Sequence, residues 1–234
     1  MDLQGKAAVV TGASKGIGLA LVNALLAEGI KVAGWSRSGK GVSNENYKTF
    51  QVDISSYDSV EKAWASSVDF LGQQPDILIN NAGLGYSGLL EDMEPALWKE
   101  IFEVNVNGLF YCSKMAIAGM KSRGEGHIIN IASIAGKDGS PKLSAYCGSK
   151  FAVRGISQSL YKEVRDYGVK VTCVMPGSVK TDFFDNIDHI QANDYMMKAE
   201  DVAEMILHII KTPENLHATE IELRPLMPAG RKKV

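Results

Sequence analysis

What the sequence lacks narrows the possibilities first. It has no excess of charge of one sign: 25 Lys and Arg face 27 Asp and Glu, for a formal net charge of -2. A nucleic-acid binder needs a basic excess or a basic face, so no nucleic-acid partner is expected. No apolar run comes near the roughly 20 residues that a membrane-spanning helix requires, so no membrane partner is expected either. The four histidines (His127, His189, His208, His217) make neither HxxxH nor HExxH, and no metal site is expected. Three cysteines (Cys112, Cys147, Cys173) stand far apart without a CxxC pair. They read as small reduced core residues in a cytoplasmic protein. The opening "MDLQGKAAVVTG" lacks the basic start and long apolar stretch of a secretory signal. No repeat or Pro/Ser-rich linker divides the chain, so residues 1–234 are expected to form a single domain.

What is present alternates. Short apolar or β-branched runs recur at 6–12, 31–37, 47–53, 76–83, 126–133, 170–177 and 218–225. Helical lengths separate them at 16–28, 57–72, 95–122, 145–167 and 199–211. Most of the runs are apolar throughout, as suits strands buried on both faces of a parallel sheet. The class is α/β, with helices packed on both sides of the sheet. In such sheets ligands bind beyond the carboxyl ends of the strands. Those ends carry "TGASKGIG", "SRS", "VD", "NNAG", "IAS" and "PG", so the unusual residues converge on one edge.

The first of these has Gly12, Gly16 and Gly18 between a strand and a helix. Glycines there let backbone N–H groups approach a pyrophosphate at the helix N-terminus. The end of the second strand bears on which dinucleotide is bound. A carboxylate there would bind a ribose 2′-hydroxyl, whereas an arginine accommodates a 2′-phosphate. This chain has Ser36 and Arg37, no acid in "GWSRSGKG", and a second cation, Lys15, inside the glycine loop. Arg37 can grip a phosphate through paired hydrogen bonds. NADP(H) is therefore expected ahead of NAD(H), although both cations would equally suit a solvated surface.

In "SAYCGSK" (144–150) Tyr146 precedes Lys150 by four residues, which aims both from one face of a helix. Together these motifs resemble the short-chain dehydrogenase/reductase family over almost the whole chain. The matching stretches are "TGASKGIG" (11–18), "NNAG" (80–83), Asn105 in "FEVNVNG", Ser133 in "NIASIAG", "YCGSK" (146–150) and "PGSVKT" (176–181).

The resemblance implies a single Rossmann-like three-layer sandwich with a seven-stranded parallel sheet. It also implies oxidoreductase activity and a homodimer or homotetramer. Hydride transfer to a carbonyl leaves a developing alkoxide that needs a proton. Tyr146 is the expected general acid/base, its pKa lowered by the Lys150 ammonium. Ser133 would hold the substrate carbonyl, or alternatively cap a turn. Asn105 would bind a water that links Lys150 to solvent, or alternatively mark a backbone-bonded helix irregularity. Cofactor contacts are implied for Gly12, Ser14, Lys15, Gly16, Ile17, Gly18, Ser36 and Arg37. They are implied also for Asp53 and Ile54 beside the adenine, for Asn81, Ala82 and Gly83, and for Tyr146 and Lys150. Pro176, Gly177, Val179 and Thr181 would clasp the nicotinamide end.

The substrate is less legible. Phe183, Phe184, Tyr195, Met196 and Met197 would serve equally as an apolar lid or as core or subunit-contact residues. Asp182, Asp185, Asp188 and Asp194 would disfavour a close anionic substrate. The tail "IELRPLMPAGRKKV" lacks the glycine-rich ending of 3-oxoacyl thioester reductases. The "RKK" at 231–233 reads as a solvated terminus. The expected activity is NADPH-dependent reduction of a ketone or aldehyde, with 3-oxoacyl thioester reduction still open. The alternatives are an NAD-dependent alcohol or hydroxy-acid dehydrogenase, or a non-enzymatic NADP(H)-binding sensor on the same fold.

Overall fold

The computed structural model describes residues 3–181, 183 and 193–227. Seven strands form one sheet: β1 (Ala7–Thr11), β2 (Lys31–Ser36), β3 (Tyr47–Gln51), β4 (Ile77–Asn80), β5 (Gly126–Ile131), β6 (Val169–Pro176) and β7 (Glu220–Leu223). Their order is β3-β2-β1-β4-β5-β6-β7, and every pairing is parallel. The order reverses between β1 and β4, the switch point at which open α/β sheets bind ligands.

The helices are α1 (Gly16–Ala27), α2 (Tyr57–Leu71), α3 (Pro95–Phe102), α4 (Gly108–Arg123), α5 (Ser144–Val164) and α6 (Ala199–Ile210). Several ends follow from local chemistry. The Ser56 side chain accepts from the Ser59 amide and starts α2, and Pro95 opens α3. Gly72 and Gly124, both left-handed, close α2 and α4.

The central strands are buried on both faces, as the apolar runs predict. One face, with Val10, Ile79 and Ile129, packs against α1 and α6 through Leu21, Leu25, Val202 and Ile206. The other, with Val9, Leu78 and Ile128, packs against α2, α4 and α5 through Trp64, Cys112 and Leu160. The edge strands β3 and β7 are the most open. All three cysteines are buried and free.

Two expected helices are interrupted. The predicted helix over 95–122 contains a π-helical turn, Glu103–Asn107, between α3 and α4. The predicted helix over 145–167 ends at Val164 and continues as a 3-10 turn, Arg165–Tyr167. Asp182, Phe184, Asp185, Asp188, His189 and the "RKK" at 231–233 lie outside the described residues. Among the described residues no helix is long and apolar enough to cross a membrane, and no cluster of three metal-ligating side chains occurs.

Candidate active site

The carboxyl edge of the sheet is built first around the glycine loop. Gly12 and Gly16 have φ values of 67° and 56°, in the left-handed region that L side chains avoid. At Gly18 a Cβ would stand 2.1 Å from the Gly12 carbonyl oxygen, so only glycine lets α1 start this close to β1. A cradle that any Cβ would fill suits a pyrophosphate approached by backbone N–H groups.

Neighbouring segments are tied to this loop. The Thr11 hydroxyl donates to the Ile79 carbonyl and accepts from the Asn81 and Ala82 amides, both at 3.0 Å. Asn81 Nδ2 donates to the carbonyls of Thr11 (3.0 Å) and Gly12 (3.3 Å). The Ala13 amide donates to the Trp35 carbonyl, which draws the end of β2 alongside. There Ser36 is buried with its hydroxyl 3.3 Å from that of Ser38, while Arg37 is exposed. Lys15 is also exposed, at the N-cap of α1. Ser14 and Ile17 are partly buried in the same turn. Thr181 closes over it, with Cγ2 3.3 Å from where a Gly16 Cβ would lie.

Further along the edge, Asp53 is exposed and its carboxylate accepts from the Ser55 amide and hydroxyl. Ile54 is buried where α4 begins, close enough that a Cβ on Gly108 would meet it at 2.8 Å. Pro176 ends β6. The Gly177 amide donates to the Leu223 carbonyl at 2.7 Å. The Val179 side chain is buried in the core, and its backbone bridges to Met197.

Between these walls stand the polar side chains of β5 and α5. The Ser133 side chain lies beside the Tyr146 hydroxyl and favours its ionised form. Ser133 also accepts from the Ala135 amide at 3.2 Å, capping a short 3-10 turn (Ile134–Gly136), and its hydroxyl lies 3.4 Å from the Pro176 carbonyl. It is thus both a turn cap and a neighbour of the tyrosine. Lys150 is buried and Nζ donates to the Ile131 carbonyl at 2.8 Å. Its ammonium lies 5.8 Å from the centre of the Tyr146 ring. A Cβ on Gly83 would meet Lys150 Nζ at 3.5 Å and Asn105 Oδ1 at 3.2 Å, so these groups share one wall.

The electrostatics correct one expectation. Tyr146 keeps some exposure, yet burial pushes its phenol up to about 12, with the Ser133 side chain pulling the other way. Burial also pulls the Lys150 ammonium down to about 8. The lysine is expected to lower the tyrosine's pKa; instead the loss of hydration raises it, and both groups move towards their neutral forms.

Asn105 sits in the π-helical turn, buried, and its amide is fully engaged. Oδ1 accepts from the Leu84 amide (2.7 Å), and Nδ2 donates to the Leu84 carbonyl (2.9 Å) and the Ser149 hydroxyl (2.9 Å). The expected irregularity is therefore present. Of the apolar residues that would be lid or core, Met196 is buried and Met197 packs against the core, whereas the Phe183 ring lies 5.6 Å from that of Tyr146. Tyr195 is partly buried, and Asp194 pairs with Lys180 at 2.9 Å. Cys147 is buried beside Tyr146, as packing requires.

Thr11 and Ser149 were missed as individual residues. Both lie inside motifs, but their partners are remote in sequence: Asn81 and Ala82 for Thr11, Asn105 for Ser149.

The short chain dehydrogenase family profile matches residues 6–192. A 3-oxoacyl-[acyl-carrier-protein] reductase of Vibrio cholerae is 36% identical over 188 residues, covering 78% of this chain and 77% of the relative. Two solved structures superpose closely. A 3-ketoacyl-(acyl-carrier-protein) reductase from Brucella melitensis complexed with NADH has a TM-score of 0.88 at 24% identity, over 96% of this chain and 98% of that one. An alcohol dehydrogenase from the archaeon Thermococcus sibiricus complexed with 5-hydroxy-NADP has a TM-score of 0.85 at 26% identity, over 97% of this chain and 99% of that one. The chain belongs to the short-chain dehydrogenase/reductase family. It is an oxidoreductase, and the two solved neighbours are complexed with NADH and with 5-hydroxy-NADP.

Proposed function

We propose that the protein is an NADPH-dependent reductase that converts a ketone or aldehyde to an alcohol. Tyr146 is the proton donor, Ser133 the group that holds the carbonyl oxygen, and Lys150 the buried cation beside them. The observation that carries this is the Ser133 side chain beside the Tyr146 hydroxyl, with the buried Lys150 ammonium 5.8 Å from the centre of the same ring. Two hydroxyls facing one point can both reach a single carbonyl oxygen. The bound dinucleotide supplies the hydride. This chain orients the carbonyl and delivers the proton from Tyr146 Oη to the oxygen that becomes the alcohol. A phenol raised to about 12 carries its proton before reduction begins, as a proton donor must.

Gly12, Gly16 and Gly18 would hold the pyrophosphate, with Ser14, Lys15 and Ile17 completing the turn. Ser36, Arg37 and Lys15 would receive a 2′-phosphate, and the end of β2 presents an arginine where a carboxylate would repel one. Asp53 and Ile54 would border the adenine, with Asn81, Ala82 and Gly83 further in. Pro176, Gly177, Val179 and Thr181 would close the nicotinamide end, Val179 through its backbone. Because the Asn105 side chain is engaged, any water that it holds would bond its backbone, where a π-helical turn disturbs the regular ladder. We place the protein in the cytoplasm as a homodimer or homotetramer, on family grounds.

The deciding experiment follows NADPH and NADH consumption with an acetoacetyl thioester, a β-keto ester, a diketone and simple aldehydes. Turnover with NADPH supports the reading. Turnover of alcohols with NAD alone would replace it, and tight NADPH binding without any turnover would favour a sensor.

A further inference from the structure

We propose that Ser149 is a positioning residue for the reaction: it locks the Asn105 amide to the helix that carries Tyr146 and Lys150. The inference rests on the reductase reading above but concerns a residue to which that reading gives no role. Ser149 is completely buried, and its hydroxyl works in both directions. It donates to the Tyr146 carbonyl at 2.7 Å and accepts from Asn105 Nδ2 at 2.9 Å.

These bonds form a chain across three segments. Leu84, just past β4, exchanges both of its backbone hydrogen bonds with the Asn105 amide. Asn105, in the π-helical turn, passes its remaining N–H to Ser149 on α5. Ser149 then bonds the backbone of Tyr146 one turn earlier and immediately precedes Lys150. The pattern fixes the orientation of the amide. Reversing O and N would set two donors against the Leu84 amide and leave Oδ1 facing a hydroxyl whose proton is given to Tyr146. A Cβ on Gly83 would lie 3.2 Å from Asn105 Oδ1 and 3.5 Å from Lys150 Nζ, so the amide that Ser149 holds and the ammonium border the same point of the site.

Without the Ser149 hydroxyl, one Asn105 N–H is left buried and unpaired, which disfavours the present arrangement. A displacement of this kind beside reacting groups costs rate rather than affinity. The test measures steady-state kinetics with NADPH and the best carbonyl substrate of the panel. Ser149→Ala should lower kcat about tenfold or more, while KM for NADPH stays within about twofold. In an Asn105→Ala background, adding Ser149→Ala should have almost no further effect, because the two residues act through one link. Hydrogen exchange at the Leu84 amide, which needs no substrate, should be faster in Ser149→Ala while the β1 and β5 amides keep their protection.

An unchanged kcat, losses that multiply in the double variant, or an unaltered Leu84 amide would each overturn the proposal. If Ser149→Ala fails to fold, Ser149→Cys carries the same predictions, since a thiol is a weak acceptor. If instead Tyr146→Phe turns over normally, the acid/base reading falls, and exchange at Leu84 still decides whether Ser149 holds Asn105.

Discussion

Mild acid should destabilise this protein through a histidine far from the candidate active site. His127 is the second residue of β5, is 1% exposed, and lies 2.8 Å from the Thr172 hydroxyl through Nε2. That hydroxyl donates to the Ala218 carbonyl, so it must accept from His127, which places the ring proton on Nε2. Nδ1 is then a buried lone pair with no hydrogen-bond partner among the described residues. Protonation would put a charge there without an acceptor, and burial accordingly pulls the pKa down to about 3, with His217 and Lys170 adding smaller repulsions.

The folded pKa lies below the unfolded value, so the stabilisation is complete above about pH 6.5 and is lost as the pH falls towards about 3. Between about pH 7.5 and about pH 5 one such group removes about 2 kcal/mol, at 1.36 kcal/mol per pH unit once the unfolded histidine is charged. His217, also lowered by burial, adds in the same direction. Glu220 and Glu222, held low by Arg154 and Lys137 respectively, contribute only below the normal carboxylate range. The window therefore isolates the histidines. Urea unfolding at both pH values and one protein concentration would measure the loss. His127→Gln, which keeps an N–H for Thr172 but cannot titrate, should recover about 2 kcal/mol of the pH-dependent part. Equal pH-dependence in wild type and variant would refute the argument.

Four further outcomes bear on the site. Tyr146→Phe should abolish carbonyl turnover and leave the Kd for NADPH within about twofold, since it removes only the proton donor; a titration beside the kinetics shows whether both hold. Arg37→Asp should move the NADPH/NADH ratio of kcat/KM towards NADH by about tenfold or more, by removing a charge-assisted contact and adding repulsion; an unaltered ratio would count against the assignment of the 2′-phosphate. Gly18→Ala sets a Cβ 2.1 Å from the Gly12 carbonyl, so it should lower Tm and nearly eliminate cofactor binding, read by NADPH fluorescence. Finally, if reduction needs the Lys150 ammonium, kcat/KM should fall as pH rises through about 8, and Lys150→Arg should lose that limb because a guanidinium does not titrate there.

The central strands were legible because burial on both faces leaves a continuous apolar run; six of the seven expected runs contain a strand, and the seventh, 170–177, covers all of β6 but Val169. The glycine loop was legible because its φ values and its close helix approach admit no other residue. The π-helical turn was not: an i to i+5 register differs from an α-helix by one residue, and "EIFEVNVNGLFY" reads as continuous helix either way. Nor were the roles of Thr11 and Ser149, because a hydroxyl takes its meaning from its partner. Those partners are 70 and 71 residues away for Thr11 and 44 for Ser149.

The direction of the Tyr146 shift could not be read from spacing, because spacing places charges but not water. A lysine one turn away stabilises a phenolate only if the pair gains more from attraction than it loses in hydration. Here Ser133 and Phe183 lie beside the phenol, while Lys150 donates to the Ile131 carbonyl. Under the proposed mechanism the lysine would act less on the proton affinity of the resting tyrosine than on charge that appears nearby during the reaction. A developing alkoxide stands to gain from a buried ammonium that the neutral carbonyl before it cannot use as well, and such differential stabilisation lowers a barrier. On this argument, replacing Lys150 by a neutral isostere such as methionine should lower kcat more than it weakens substrate binding. An effect confined to KM would assign the ammonium to holding ligands instead.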